Sequence, residues 1–165
     1  MTEDREPVLV VFDIDGTLAK HGDPNDPDQY SEARLAALEP IPNMIAMARR
    51  YIKTPNVVVM FCSGRPKTRQ RVTWDWLNHH VGMSGGRAVT LTLRPESESE
   101  DRIAMYKLSE IIQAVRRMGS KPSEVVIFDD DIMNLQMFES VRPMVRRLKL
   151  YKVEDGLTSQ WGEGW

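Results

Sequence analysis

The chain is nearly devoid of cysteine, poor in aromatic residues and free of long apolar runs. Cys62 is its one cysteine, so no disulfide can form within the chain. A lone thiol inside the apolar run VVVMFC suits a reducing compartment. No stretch approaches the roughly 20 consecutive apolar residues of a membrane-spanning helix. A charge excess is missing too: 22 Lys and Arg face 24 Asp and Glu, a net charge of −2. That balance excludes coating of nucleic acid or membrane by bulk charge and leaves local basic sites open. The opening residues Met1 to Glu6 are acidic and lack the basic and apolar parts of a signal peptide. A soluble, cytoplasmic protein is the expected class. What is present is enough for a core: 41% of the 165 residues are hydrophobic, consistent with one domain spanning 1–165.

Short apolar, β-branched runs recur at Val8–Phe12, Val57–Cys62, Ala88–Leu93 and Val125–Phe128, and more weakly at Met144–Val153. Continuous runs of this kind suit strands covered on both faces of a parallel sheet. Helical patterns lie between them. Pro42 can start a helix in which Met44, Ile45, Ala48 and Ile52 share a face. Pro66 can start a second helix running through Val72, Trp76 and Leu77 to near Gly82. Met105, Leu108, Ile111, Ile112 and Val115 recur at helical spacing before Gly119, and Ile132 to Phe138 forms a short fourth pattern. Alternating strands and helices predict an α/β fold, a doubly wound, Rossmann-like parallel sheet of about five strands. Residues 21–30 and 94–101 read as polar loops, and the tail after Asp155 shows no pattern.

Ligands of an open α/β sheet bind beyond the carboxyl ends of its strands. The first run, VLVVF, leads directly into Asp13 and Asp15. The second ends in Ser63, Gly64 and Arg65, and the fourth in Asp129, Asp130 and Asp131. Three polar groups distant in sequence are therefore predicted to meet at one sheet edge. Carboxylates gathered so closely must stay protonated or be compensated by a cation. Oxygen ligands with no His or Cys among them favour a hard ion, Mg²⁺ first. Asp13 and Asp15 thus read as a nucleophile and metal site carried on a rigid strand end.

The same residues resemble the haloacid dehalogenase-like phosphohydrolases. DIDGT matches that superfamily's first motif, D-x-D-G-T, and VVVMFCSGR resembles its second, an apolar strand ending in Ser or Thr. Lys107, in IAMYKLSEI, stands where the third motif's lysine is expected, and VVIFDDD resembles the fourth. The four follow in order across residues 8–138. The 3′-phosphatase domains of phage polynucleotide kinases are similar in finer detail, through DGTLAK, SGR followed by a basic and aromatic helix, and a double aspartate. Two features depart from them. The loop after the first motif reads HGDPND where those domains carry an arginine. Ile103 stands one helical turn before the lysine where they carry an aspartate, with Asp101 a substitute two residues earlier.

The resemblance implies roles. Asp13 attacks phosphorus and forms an aspartyl-phosphate. Asp15 protonates the leaving alkoxide, then activates the hydrolytic water, and lends its backbone carbonyl to Mg²⁺. Gly16 allows a tight turn and Thr17 ties it down. Ser63 and the Gly64 amide hold phosphoryl oxygens, Lys107 balances charge on nucleophile and phosphoryl group, and Arg65 contacts substrate phosphate or sugar. Asp130 is the preferred metal ligand, with Asp129 a second ligand or an outer partner. Asp131 caps the next helix, and Asn134 either orients a metal-bound water or lies exposed. Taken alone, Ser63 also reads as a helix cap and Lys107 as a solvated helix residue. Lys67, Arg69 and Arg71 beside Trp74 and Trp76 read either as a stacking and phosphate-binding surface or as a solvated basic face with core tryptophans. Met44, Met47, Met105, Met118 and Met137 read as core filler.

Neither loop is long enough for a cap domain, so an open site is expected. The resulting expectation is a Mg²⁺-dependent phosphomonoesterase acting on nucleic acid 3′-phosphate ends. Its rivals are a phosphatase of nucleotides or other small esters, a non-catalytic interaction module of the same fold, and a phosphoacceptor domain of the response-regulator kind.

Overall fold

The computed structural model describes residues 6–83, 89–119 and 121–162. Ala88, placed at the start of a predicted strand, and Met1 to Arg5 lie outside them. Six strands form one sheet: β1 (Val8–Phe12), β2 (Val57–Pro66), β3 (Val89–Arg94), β4 (Glu124–Asp129), β5 (Leu148–Glu154) and β6 (Leu157–Trp161). Their order is β3-β2-β1-β4-β5-β6. All neighbours are parallel except β5 and β6. The helices are α1 (Glu32–Ala36), α2 (Pro42–Lys53), α3 (Gln70–His80), α4 (Ile103–Arg117) and α5 (Ile132–Phe138).

The continuous apolar runs follow from burial on both faces. Val10 and Phe12 pack with Met44, Ile45 and Ala48 of α2 and with Trp76 and Leu77 of α3. Leu9 and Val11 point the other way, to Ile111 and Val115 of α4 and Leu135 and Phe138 of α5. A ladder of rings then sets the level of the strand ends. Phe12 stacks on Phe128 at 4.9 Å and on Phe61 at 6.0 Å, and Phe128 stacks on Tyr151 at 5.1 Å. Such pairs contribute about 0.5–1.5 kcal/mol each beyond their buried area. Phe12 is paired in register with both Phe61 and Phe128. Asp13 and Asp129, the next residue on each strand, therefore emerge side by side. They do so where the chain turns from building the sheet on one side of β1 to building it on the other, the switch point at which such sheets bind ligands.

The structure differs from the sequence reading in four places. The sheet has six strands rather than about five: β6 pairs antiparallel with β5 through Asp155 and Gly156, both at positive φ. β6 is almost wholly exposed, so no apolar alternation announces it. Pro66 ends β2 instead of opening a helix, because β2 continues past an irregularity at Ser63 to pair Pro66 with Arg94. A single 3-10 turn (Lys67–Arg69) then leads into α3. Met144 closes a 3-10 segment (Glu139–Met144), and β5 begins only at Leu148. Met105 is exposed rather than core filler. Among the described residues there is no cap domain: only α1 interrupts the connection from β1 to α2, and a short loop joins β3 to α4.

Candidate active site

The turn after β1 is built tightly. The Ile14 carbonyl accepts from the amides of Thr17, Leu18 and Ala19, and the Asp13 amide donates to the Phe128 carbonyl at 2.9 Å. Gly16 takes φ +85°, and a Cβ there would lie 2.1 Å from Asp130 Oδ2 and 2.3 Å from His21 Nε2. Glycine is therefore required twice, by backbone conformation and by space.

Asp13 is buried between two donors. Lys107 Nζ reaches its Oδ1 at 2.7 Å and Thr17 Oγ1 its Oδ2 at 3.1 Å. The same ammonium donates to Asp129 Oδ2 at 2.9 Å. Lys107 is only 3% exposed, so its place on α4 is an inward one and the solvated alternative does not hold. Asp129 is held further by the Asp131 amide and by the Asn134 side chain. Asn134 is buried rather than exposed, and its amide fixes Asp129. Asp131 caps α5, its carboxylate accepting from the Met133 amide at 2.8 Å.

Oxygens of Asp13, Asp129 and Asp130 all lie within 4.8 Å of one another. Burial pushes the Asp13 carboxyl up to about 7 against the pull of Lys107, and Asp130 adds to the rise. Burial likewise raises Asp129 to about 6, with Lys107 opposing and Asp13 adding. Burial pulls the Lys107 ammonium down, but Asp129 and Asp13 outweigh it and hold it well above the ordinary lysine value. One ammonium is thus set against three carboxylates. An all-oxygen set with surplus negative charge fits a hard divalent ion. His21 comes closer than the sequence implied: its Nε2 lies 2.7 Å from Asp130 Oδ2. Partial burial disfavours a charged ring there, and the Asp130 carboxylate outweighs it, raising the His21 pKa.

Asp15 is not one of the three carboxylates of that cluster. Arg65 clamps its carboxylate with two parallel bonds, Nε to Oδ2 at 2.9 Å and Nη2 to Oδ1 at 2.8 Å, while Nη1 donates to Thr73 Oγ1 at 3.2 Å. Arg65 has no solvent exposure. The Arg65 guanidinium, expected to contact substrate, here holds Asp15 and Thr73. The Asp15 side chain, about a quarter exposed at 27%, lines a cavity of about 510 Å³ with His21, Gln29, Tyr30 and Leu38 among its walls. The fork uses one lone pair on each Asp15 oxygen and leaves the other open for proton transfer. Arg65→Lys keeps the charge but not the fork. Its expected result is a fall in kcat of about 10²-fold, from a misaimed Asp15, read by steady-state kinetics. An unchanged kcat would separate the clamp from turnover.

Ser63 is fully buried where the register of β2 becomes irregular, with its hydroxyl accepting from the Arg65 amide at 3.1 Å. Gly64 follows under Ile103, where a Cβ would lie 2.9 Å from the isoleucine Cδ1. Its carbonyl accepts from Arg94 Nε at 3.0 Å. Asp101 is exposed and takes the Ser99 hydroxyl, while Ile103 packs over Gly64. Of the basic and aromatic helix, Trp76 is buried and donates to the Leu38 carbonyl, and Arg69 donates to the Tyr30 carbonyl at 2.6 Å. Lys67, Arg71 and Trp74 are exposed. Sequence reasoning missed His21, Thr73 and Arg94. Arg94 was findable, since it ends a strand at the same sheet edge. Thr73 shares the buried face of α3 with Trp76 and Leu77, whereas His21, in a polar loop, carries no periodic signal.

The family described as the polynucleotide kinase PNKP phosphatase domain matches residues 7–138. The chain belongs to this family, and it is a phosphatase of the haloacid dehalogenase-like superfamily. A sequence search of curated proteins finds no match. Among solved structures, the phosphatase is similar to a chain of the Pnkp1/Rnl/Hen1 RNA repair complex, with TM-score 0.63 and 17% identity. That match covers 93% of the phosphatase and 45% of the other chain, so it spans less than half of that protein. It is similar also to D,D-heptose 1,7-bisphosphate phosphatase from B. bronchiseptica complexed with magnesium and phosphate. There the TM-score is 0.62 and the identity 14%, over 90% of this chain and 82% of that one. A haloacid dehalogenase-like hydrolase from Streptococcus pneumoniae gives 0.54 and 12% over 86% and 83%. At these identities the likeness is one of fold. No helix among the described residues is long and apolar enough to cross a membrane.

Proposed function

We propose that the chain is a single phosphatase domain, residues 1–165, that removes the 3′-phosphate from polynucleotide ends with Mg²⁺ and an aspartyl-phosphate intermediate. The observation that carries this reading is the division of labour between the two aspartates of the first motif. Asp13 is held by Lys107 within the acidic cluster, while Asp15 is turned by Arg65 toward a cavity large enough for a leaving group.

The steps follow from that division. An Asp13 carboxylate oxygen bonds to phosphorus as the ester P–O bond breaks. Asp15 gives its proton to the departing 3′ oxygen. Water then attacks phosphorus, Asp15 takes the water's proton, and the bond to Asp13 breaks to release inorganic phosphate. Lys107, Ser63 and the Gly64 amide neutralise and orient the phosphoryl oxygens in this reading, which supplies most of the catalysis in phosphoryl transfer. Asp13, Asp129 and Asp130, with the Asp15 carbonyl, would hold the divalent ion, whose chemistry is to polarise the phosphoryl group and offset its charge. The family and the RNA repair chain of like fold support a polynucleotide substrate.

A second reading, a phosphatase of nucleotides or other small esters, draws support from the cavity beside Asp15, whose walls include Asp23 and Asp26. The two separate by phosphate release from a 3′-phosphorylated oligonucleotide and from nucleoside monophosphates, each with Mg²⁺ or chelator. The expected result is preference for the oligonucleotide in kcat/KM and a loss of at least about 10²-fold with chelator. Equal or better turnover of mononucleotides would move the assignment to the second reading.

A further inference from the structure

We infer that His21 is a positioning residue that acts through Asp130, fixing that carboxylate for the divalent ion; this rests on the proposed reading of the acidic cluster as the ion site. Asp129 needs no such help, because Lys107, Asn134 and the Asp131 amide already grip it. Asp130 is placed differently. It shares the cluster with Asp13, is partly exposed, and has His21 Nε2 at 2.7 Å from Oδ2. The acceptor is a carboxylate, so the ring nitrogen donates. With Oδ2 held, Oδ1 is the oxygen left to turn toward an ion. Hydrogen bonds to ligating carboxylates set their orientation in this way.

The backbone delivers the ring to that spot. The Lys20 amide donates to the Glu39 carbonyl at 2.8 Å, anchoring the residue just before His21. The missing side chain at Gly16 provides the room, since a Cβ would lie 2.1 Å from Asp130 Oδ2 and 2.3 Å from His21 Nε2. The pair therefore occupies a seat that the first motif's glycine leaves open. His21 is also the wall between the cavity beside Asp15 and a second cavity, of about 620 Å³, lined by Asp130, Lys20 and Lys152. Its ring is mostly exposed, at 64%, so it contributes little to the core and its loss should leave the fold intact.

The test is a thermal-shift titration of the whole chain with Mg²⁺ and with Mn²⁺, without substrate, for wild type, His21→Ala, His21→Gln and Lys20→Ala, followed by kinetics. For His21→Ala the ion concentration at half-maximal shift should rise about 10- to 100-fold. Its midpoint in chelator should not move, and the ion concentration giving half-maximal kcat should rise in step with the thermal-shift value. His21→Gln keeps a donor and should recover part of the shift. Lys20→Ala should match wild type. If wild type responds to ions and His21→Ala responds identically, the inference is overturned while the reading of the cluster stands. If His21→Ala lowers kcat at saturating ion with an unmoved ion midpoint, His21 touches substrate directly and the inference is overturned. If wild type shows no ion-dependent shift, the cluster is not an ion site and both fall.

Discussion

Asp13→Asn should lower phosphate release by at least about 10⁴-fold, because removing a nucleophile leaves only binding and electrostatic terms. The change is close to isosteric. The amide oxygen can still accept from Lys107 at the Oδ1 position, and its NH₂ then stands at the Oδ2 position, where the Thr17 hydroxyl can turn to accept. The variant should therefore fold. In chelator at neutral pH it should be at least as stable as wild type, and the direction follows from linkage. Burial raises the Asp13 carboxyl from 3.8 to about 7, so between those values the native state holds a proton that the unfolded chain has released. Stability attributable to this group falls as pH rises through that window, and the full cost is present above it. Asparagine does not titrate. In chelator, wild type should thus lose more thermal stability than Asp13→Asn between pH 4 and about 7, and Mg²⁺ should narrow the difference. A variant that is inactive but markedly less stable would show a structural loss instead. A variant that retains turnover would remove the covalent intermediate from the mechanism.

That prediction could be framed from residues 8–17 alone, and the reason is physical. A strand covered on both faces has to be apolar at every position, so VLVVF is visible as a run, and the carboxylates at its end stand out against it. The same holds for β2 and β4, which is why Ser63 and Asp129 could be placed at the sheet edge before any coordinates. β6 breaks the rule: it is an exposed edge strand, LTSQW, with no burial pattern to read, although the Asp155-Gly156 pair before it is a hairpin signal. Pairings across elements were less legible. Arg65 is visible as a charge, but its commitment to Asp15, 50 residues earlier, depends on how β2 and the turn after β1 come together. His21 meets Asp130 across 109 residues, and nothing in a polar loop distinguishes that histidine from its neighbours. Asn134 read either as orienting a metal-bound water or as an exposed helix residue, because α5 is too short for its periodicity to choose a face.

Lys107→Met tests the same cluster from the cationic side, and it should cost stability as well as activity. Methionine matches the length of the lysine stem but leaves Asp13 and Asp129 buried with no cation between them. Breaking a buried ion pair by removing one partner costs about 3–5 kcal/mol, roughly 6–20 °C in thermal midpoint for a chain of this size. In chelator the loss should appear in full. Mg²⁺ should return part of it by taking over the neutralisation of Asp13 and Asp129. Activity should remain down by at least about 10²-fold at saturating Mg²⁺, because the ammonium that meets the transferring phosphoryl group is gone. Asp13→Asn/Lys107→Met then separates the two contributions. If the cost of Lys107→Met is the stranded charge, the double variant must be less destabilised than the sum of the singles, with an interaction of about 0.5–3 kcal/mol. Strict additivity would mean that Lys107 stabilises the core through its stem, and that the 2.7 Å contact with Asp13 belongs to catalysis alone.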